Sequence, residues 1–304
     1  MNSSYTNVLN VAKDALSHQD FPISCLYMVA TPIGNLADIT LRALNTLFIC
    51  DFLACEDTRE SKHLLTNYGI DKPASSWIAV HQHNEAEQCP KIISLLSAGH
   101  RVAVLCDAGT PGVSDPGAWL ARSVSNAGFR VIPIPGASSV TTLLSASGIV
   151  GHGGFDFVGF LPTKASERSN LLKLIDSQPK ATVLLEAPHR LDTLASSISF
   201  MANRKVTIGR ELTKQFEEIA TLEASQISDW LNADSNRKRG EFVIVIHPSQ
   251  AKHTHDTSSH ELLIKTLLEE LSLKTTVKLA QQLTGAPKNE LYALALKFSK
   301  HENS

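Results

Sequence analysis

The chain carries no excess of positive charge. Its 28 Lys and Arg stand against 30 Asp and Glu, leaving a formal net charge of −2. A surface given over wholesale to phosphate binding needs many free cations, so that balance argues against a general nucleic-acid binder and leaves only local patches for such contacts. No apolar run reaches the length of a membrane span. Residues 1–20 lack the apolar core of a secretory signal, so a cytoplasmic location is expected. Cys25, Cys50, Cys55, Cys89 and Cys106 have no C-x-x-C spacing and read as buried free thiols of a reducing compartment. No G-x-G-x-x-G follows an apolar run and no G-x-x-x-x-G-K-[ST] is present, which removes the usual dinucleotide and phosphate-loop fingerprints. His81-x-His83 has no second pair nearby, so no metal is expected. What remains is 304 residues with 43% apolar content, enough for a sizeable core and two or three domains.

Residues 1–24 read as a loosely held N-terminal extension. From Leu26, near-continuous apolar runs predict strands at 26–31, 51–56, 76–80, 101–107 and 130–134. Between them lie helical stretches: Thr40–Phe48, with Leu41, Leu44, Leu47 and Phe48 on one face, and Ala118–Ala127. That alternation predicts an α/β domain with a largely parallel sheet. A second set follows at 155–161, 181–187, 205–212, 217–224 and 241–247. Only four residues separate the third and fourth runs, which predicts an antiparallel hairpin. The expected organisation is a first α/β domain at 25–135, a second at 136–247, a polar linker at 248–260 and a helical domain at 261–304. The last holds helices at 261–270, at 275–283 (Val277, Leu279, Ala280 and Leu283 inward) and at Asn289–Phe298. This outline suits a helix-turn-helix or a plain three-helix cap.

Three strand ends are rich in Gly, Pro and small hydroxyl residues: Thr31–Asn35, Asp107–Gly117 and Pro135–Ser139. An ordinary turn needs one or two such residues, whereas 107–117 holds five Gly or Pro in eleven positions. In open α/β sheets, ligands settle at the carboxyl ends of strands. Stiff loops there lose little entropy on binding and admit a ligand close to backbone amides. They suit a ligand with a planar base, a ribose and a charged amino-acid arm.

The runs VATPIGNLADITLRAL (29–44), ACEDTRESKHLL (54–65), HNE (83–85), DAGTPGVSDPG (107–117), PGASS (135–139), GFLPTK (159–164), EAPHRL (186–191), RELTKQFEE (210–218) and GEFVIVI (240–246) resemble the small-subunit rRNA cytidine-2′-O-methyltransferase family, of the tetrapyrrole-methylase fold superfamily. The tail at 272–296 resembles the small helical domain that closes those proteins, and the likeness runs in order from about residue 26 to 298. It implies two α/β domains and a helix-turn-helix-like end. It also implies a homodimer, S-adenosylmethionine as donor, and 2′-O-methylation of a cytidine in the decoding region of 16S rRNA. The donor would lie against Pro32, Ile33 and Gly34, against Asp107, Ala108, Gly109, Thr110 and Pro111, against Ser138 and Ser139, and against Leu185, Glu186 and Ala187. Asp107 either accepts from the donor or simply caps its own loop.

A ribose hydroxyl is a poor acid, so a base or polarising cation is expected; Glu56, Asp57, His83, Glu186 and His189 are candidates, unresolved among themselves. EDTR (56–59) reads equally as a structural ion-pair corner, with Arg59 neutralising its carboxylates. For RNA the candidates are Lys164, Arg168, His189, Arg190, Arg210 and Lys214. They lie in a stretch, 164–214, with nine Lys or Arg against five Asp or Glu. Arg204-Lys205 and Arg237–Arg239 add two clusters. Two rivals share parts of this reading. A methylase of corrin-type macrocycles would have the same donor loops without needing the basic stretch. A non-catalytic nucleic-acid-binding regulator built on the terminal helices would leave the stiff loops unexplained.

Overall fold

The computed structural model describes residues 6–149, 154–249 and 257–299. They fall into two compact units, divided at Pro248/Ser249. In the first unit the chain runs α1 (Thr6–Ala15), β1 (Cys25–Val29), α2 (Leu41–Ile49), β2 (Phe52–Cys55), α3 (Thr58–Asn67), β3 (Trp77–Ala79), α4 (Glu85–Ser97), β4 (Val102–Leu105), α5 (Ala118–Asn126), β5 (Arg130–Ile134) and α6 (Ser139–Ala146). It continues with β6 (Phe155–Phe160), α7 (Ala165–Ser177), β7 (Ala181–Glu186), α8 (Leu191–Ile198), β8 (Lys205–Arg210), β9 (Glu218–Glu223), α9 (Ile227–Ala233) and β10 (Phe242–Ile246).

The first five strands form one sheet in the order β3-β2-β4-β1-β5, and every pairing in it is parallel. Parallel strands need a crossover between each pair, which is what the amphipathic stretches supply. Leu44, Leu47, Leu53, Leu65 and Tyr68 fill one face. Ile92, Leu96, Leu120 and Val124 fill the other. Sealed on both sides, the strands are the continuous apolar runs read from the sequence. On α2, Leu44 and Leu47 are buried as expected, but Leu41 and Phe48 sit at the rim. The Phe48 ring lies under the ammonium of Lys13, 3.6 Å from its centroid.

The expected loose extension is instead a packed helix over its described part. Ala12 and Leu9 of α1 enter the same core as Leu44 and Leu47. The partner of α1 is α2, well along the chain, so its apolar stripe is too short to be conspicuous by itself.

The second sheet has the order β6-β7-β10-β8-β9. β6 and β7 are parallel and the other pairings antiparallel, with β8 and β9 forming the expected hairpin. One face is covered by Leu172, Ile175, Leu194, Ile198, Ile227 and Leu231. On the other face, Val140 and Leu143 of α6, together with Ile33, pack on Val183, Leu212, Val243 and Val245. This last cluster joins the two sheets through α6.

Most of the expected linker, residues 250–256, lies outside the described residues. The second unit is three helices, α10 (Thr257–Glu270), α11 (Leu273–Thr284) and α12 (Lys288–Ser299), around Ile264, Val277, Ala280, Leu291 and Ala295. Val277 and Ala280 are inward as the periodicity predicts, whereas Leu283 is exposed. No helix among the described residues is long and apolar enough to cross a membrane.

Candidate functional site

The three Gly- and Pro-rich loops meet at one edge of the first sheet because their strands, β1, β4 and β5, are parallel neighbours. The N–H of Thr31 donates to Gly109 O at 2.8 Å and that of Gly109 returns to Thr31 O at 3.1 Å, an isolated antiparallel bridge between the first two loops. The Thr31 hydroxyl also donates to Cys106 O at 3.2 Å. Thr110 Oγ1 donates to Ala137 O at 3.1 Å, which ties the second loop to the third. The long loop is closed on itself by Gly112 N–H to Pro116 O, at 3.1 Å.

Its far end is held by Glu85, the last residue of HNE. Glu85 Oε1 accepts from the backbone N–H of Gly117 at 2.9 Å and of Leu120 at 2.7 Å, satisfying the open N-terminus of α5. Glu85→Ala is therefore expected to cost about 1–2 kcal/mol, read by urea denaturation. Glu85→Gln keeps an acceptor oxygen and should lose less than half of that. Equal losses for the two variants would show that the carboxyl oxygen is not what holds α5.

Between the loops and the second sheet lies a cavity of about 380 Å³. The first half contributes Ile33, Ala108, Gly109, Thr110, Val113, Ser114, Asp115, Ser138, Ser139 and Val140. The second contributes Phe157, Phe160, Leu185, Glu186, Ala187, Pro188, Leu212, Glu241, Phe242 and Val243. The wall is mainly apolar with a few convergent polar groups, the usual make-up of a small-molecule site.

The structure thus brings Ile33, Ala108, Gly109, Thr110, Ser138, Ser139, Leu185, Glu186 and Ala187 of the expected donor site together, while Pro32, Gly34, Asp107 and Pro111 are not part of the wall. Asp107 Oδ1 accepts from the N–H of Asp57 at 3.3 Å, linking the ends of β2 and β4. Burial raises its pKa, and the Asp57 amide opposes that. The sequence reading did not single out Val113, Ser114, Asp115, Phe157, Phe160 or Glu241. All lie inside motifs it quoted or strands it drew, but an Asp or Ser in a tight loop looks like a turn former, and a strand's facing is not written in a continuous apolar run.

The expected bases separate clearly. Asp57 is the N-cap of α3, accepting from Arg59 N–H at 2.8 Å and pairing with the Arg59 guanidinium at 2.7 Å, which lowers its pKa to about 2. EDTR is in this respect the ion-pair corner. Glu56 is partly buried and its pKa is raised, first by desolvation and then by Asp107 and Asp115. It does not line the cavity, and neither does His83, which is exposed with its ring 6.0 Å from that of His81. Glu186 does line it, but is locked: Arg190 Nε lies 3.1 Å from Oε1 and the Ala187 N–H donates to the same oxygen at 3.0 Å. Burial still raises its pKa against those two influences.

The structure engages most of the expected RNA-facing residues in its own contacts. Arg168 donates to Pro162 O, Thr163 O and Ser197 Oγ. Arg190 holds Glu186 and donates to Leu161 O at 2.6 Å. Arg210 is buried and donates to Arg239 O and Phe216 O. Lys214 bridges Glu211 and Glu241 at 2.9 and 3.0 Å. The polar groups of these four are engaged within the second half, the three arginines mainly by backbone carbonyls and Lys214 by two carboxylates. Lys164, paired with Glu167 at the surface, and exposed His189 are the more open of the six.

Two sheets, each backed by helices and clasping a small-ligand cavity at their loop ends, define a class before any comparison. Residues 25–228 match the family Tetrapyrrole (Corrin/Porphyrin) Methylases, and residues 255–299 match the RsmI C-terminal HTH domain. A Ribosomal RNA small subunit methyltransferase I of Neisseria meningitidis serogroup B is 44% identical over 273 residues, 89% of this chain and 92% of that protein. Its namesake in Pseudomonas aeruginosa is 42% identical over 275 residues, 89% of this chain and 96% of that protein. A crystal structure of diphthine synthase shares the fold, with TM-score 0.57 and 15% identity over 73% of this chain and 90% of its own.

The chain belongs to the tetrapyrrole methylase family, in the branch of the small-subunit ribosomal RNA methyltransferases. It is accordingly a methyltransferase whose donor is S-adenosylmethionine. The cavity suits that donor: its volume falls in the range of roughly 300–1,000 Å³ usual for such ligands, and its apolar wall favours loss of the sulfonium charge during transfer. Among the described residues no group of His, Cys, Asp or Glu is arranged to hold a metal ion.

Proposed function

We propose that this chain methylates the 2′-hydroxyl of a ribose, on a cytidine of the decoding region in small-subunit 16S rRNA, working in the cytoplasm as a homodimer. The observation that carries the reading is the cavity, bordered by three stiff loops, in a chain 44% identical to a small-subunit ribosomal RNA methyltransferase. Donor chemistry asks little covalent help of the protein. Its task is to hold an oxygen in line with the methyl group and to exclude water. Ile33, Val140, Leu185, Leu212 and Val243 supply the dry wall for that. Ser138 and Ser139, at the amino end of α6, offer backbone N–H groups to the donor's carboxylate. Lys164 and His189 are the RNA-facing side chains of this reading; His189 directly follows cavity-lining Pro188.

The proposed organisation keeps a donor-loop domain at 25–135, a second at 136–247, a linker at 248–260 and the helical end at 261–304, with 1–24 ahead of them. Five buried free cysteines accord with a reducing compartment.

The test is incubation of the full chain with methyl-labelled donor and small ribosomal subunits, followed by nuclease and nucleoside analysis. Label on the ribose of one cytidine is expected. Label confined to a base, or absent from the RNA, would overturn the reading.

A further inference from the structure

We propose that Asp115 is the catalytic base: the carboxylate that takes the proton from the acceptor hydroxyl at the edge of the donor cavity. The inference rests on the ribose-hydroxyl reading above and names a residue for it.

Three carboxylates line the cavity: Asp115, Glu186 and Glu241. Glu186 is only 2% exposed and spends its charge on Arg190 and the Ala187 amide. Glu241 is 74% exposed and held by Lys214. Asp115 alone of the three has no cationic partner among the described residues, and it is half-buried. A carboxylate tied to a cation is held toward that cation; one that is desolvated and without a cation is freer to take a proton from a ligand.

The backbone around Asp115 is built to aim it. Ser114 holds a left-handed φ of 63°, a conformation costly for a side-chain-bearing residue that recurs at functional sites. Its hydroxyl lies against Gly159 of β6, where a Cβ would come within 2.9 Å of it, so a larger residue there would push the loop off the second sheet. Pro116 follows, its carbonyl taken by Gly112 N–H, and Gly117 is fixed by Glu85. Asp115 is thus held from both sides on a loop that touches both halves of the cavity.

The charged surroundings point the same way. Desolvation raises the Asp115 pKa most, a contact with Cys106 lowers it, and the charge of Asp107 raises it; Glu56 in turn feels Asp115. In the step, the hydroxyl O–H bond breaks and its proton passes to an Asp115 oxygen. The oxygen's electron pair forms the bond to the methyl carbon as the carbon–sulfur bond breaks. That bond's pair stays on sulfur, leaving a neutral thioether. Asp115 then returns the proton to solvent, so one proton is released per methyl transferred.

The experiment compares wild type with Asp115→Asn and Asp115→Glu in the full chain. It measures donor affinity by titration calorimetry and single-turnover methyl transfer to small subunits across pH. Asp115→Asn should bind the donor within about threefold of wild type, lose roughly 10²–10⁴ in transfer rate and lose the acidic limb of the pH profile. Asp115→Glu should recover part of the rate.

Stability supplies a second readout. A carboxyl whose folded pKa is raised binds its proton more tightly when folded, so the wild type loses stability as pH rises through the window between its unfolded and folded values. Below the ordinary Asp value both states are protonated. Asp115→Asn should therefore melt higher than wild type at pH 8 and level with it near pH 3. A transfer rate within threefold of wild type would overturn the proposal, and so would a parallel loss of donor affinity, which would make Asp115 a donor ligand. If wild type places its label on a base, the substrate reading fails, while the rate ratio of the variant still decides the role of Asp115.

Discussion

Arg204→Ala is expected to lower the thermal midpoint by roughly 10 °C, and to leave RNA affinity and its salt dependence unchanged when measured well below that midpoint. In the sequence Arg204-Lys205 is a basic cluster next to a strand, a natural place to seek a phosphate contact. In the fold the Arg204 side chain is only 5% exposed. Its guanidinium donates to His247 O and Asp176 O at 2.7 Å each and reaches Ile175 O and Gln178 O at 3.4 Å. It thereby pins the end of α7 and the start of the next turn to the end of β10. Removal takes the charged donor away from these carbonyls and leaves Asp176 without its partner at 3.3 Å. Losing the two short hydrogen bonds from a charged donor costs about 3–6 kcal/mol, a large share of the stability of a domain this size. Arg204→Lys brings three donors in place of a planar fork of five, so it should recover only part of the loss. Calorimetric melting decides it. A shift of under about 2 °C would mean the carbonyls find other donors, and a flattened salt dependence of RNA binding would restore the sequence reading of the cluster.

That contrast shows what was legible in the chain. Strands were, because a strand covered on both faces must be apolar without interruption, and Leu53–Cys55 or Val102–Leu105 cannot be anything polar. The stiff loops at the strand ends were as well, since Gly and Pro at Thr31–Asn35 and Asp107–Gly117 record backbone demands that are local. Whether a cation is free was not, because its partners are set by the fold rather than by its neighbours in sequence. Arg210 is spent on Arg239 O and Phe216 O, and Lys214 on Glu211 and Glu241. The same holds for acids. EDTR was open to two readings, catalytic carboxylates or an ion-pair corner; Asp57 caps a helix and Glu56 stands off the cavity wall, while Asp115 lay in a quoted loop without being chosen. Sequence names the chemistry available at a loop end; only the fold says which oxygen faces the cavity and which is taken.

Gly34→Ala should be the most damaging single change to donor binding that removes no functional group. Gly34 has φ +152°, where a side chain is strained whatever the space. The space is also filled: a Cβ there would stand 2.5 Å from Cγ and 2.8 Å from Cε of Lys214. Lys214 lays its stem across the first loop while its ammonium bridges Glu211 and Glu241. Those pairs hold its pKa up against desolvation and hold that of Glu211 down. The hairpin turn beneath is itself strained, with Glu211 and Thr213 at φ 51° and 67°. An alanine methyl must therefore push either the loop that carries Ile33 off the cavity wall or Lys214 out of its bridge, freeing Glu241 at the rim. Backbone strain alone costs about 1–3 kcal/mol. With the displaced wall added, donor affinity is expected to fall by more than about tenfold, as read by titration calorimetry. The clash and the strain separate in a double variant. Lys214→Ala removes the atoms that the added methyl would meet, so Gly34→Ala should do less harm to donor affinity in that background than in the wild type. Strictly additive effects would show that the strap does not rest on Gly34, and that only the backbone angle requires glycine there.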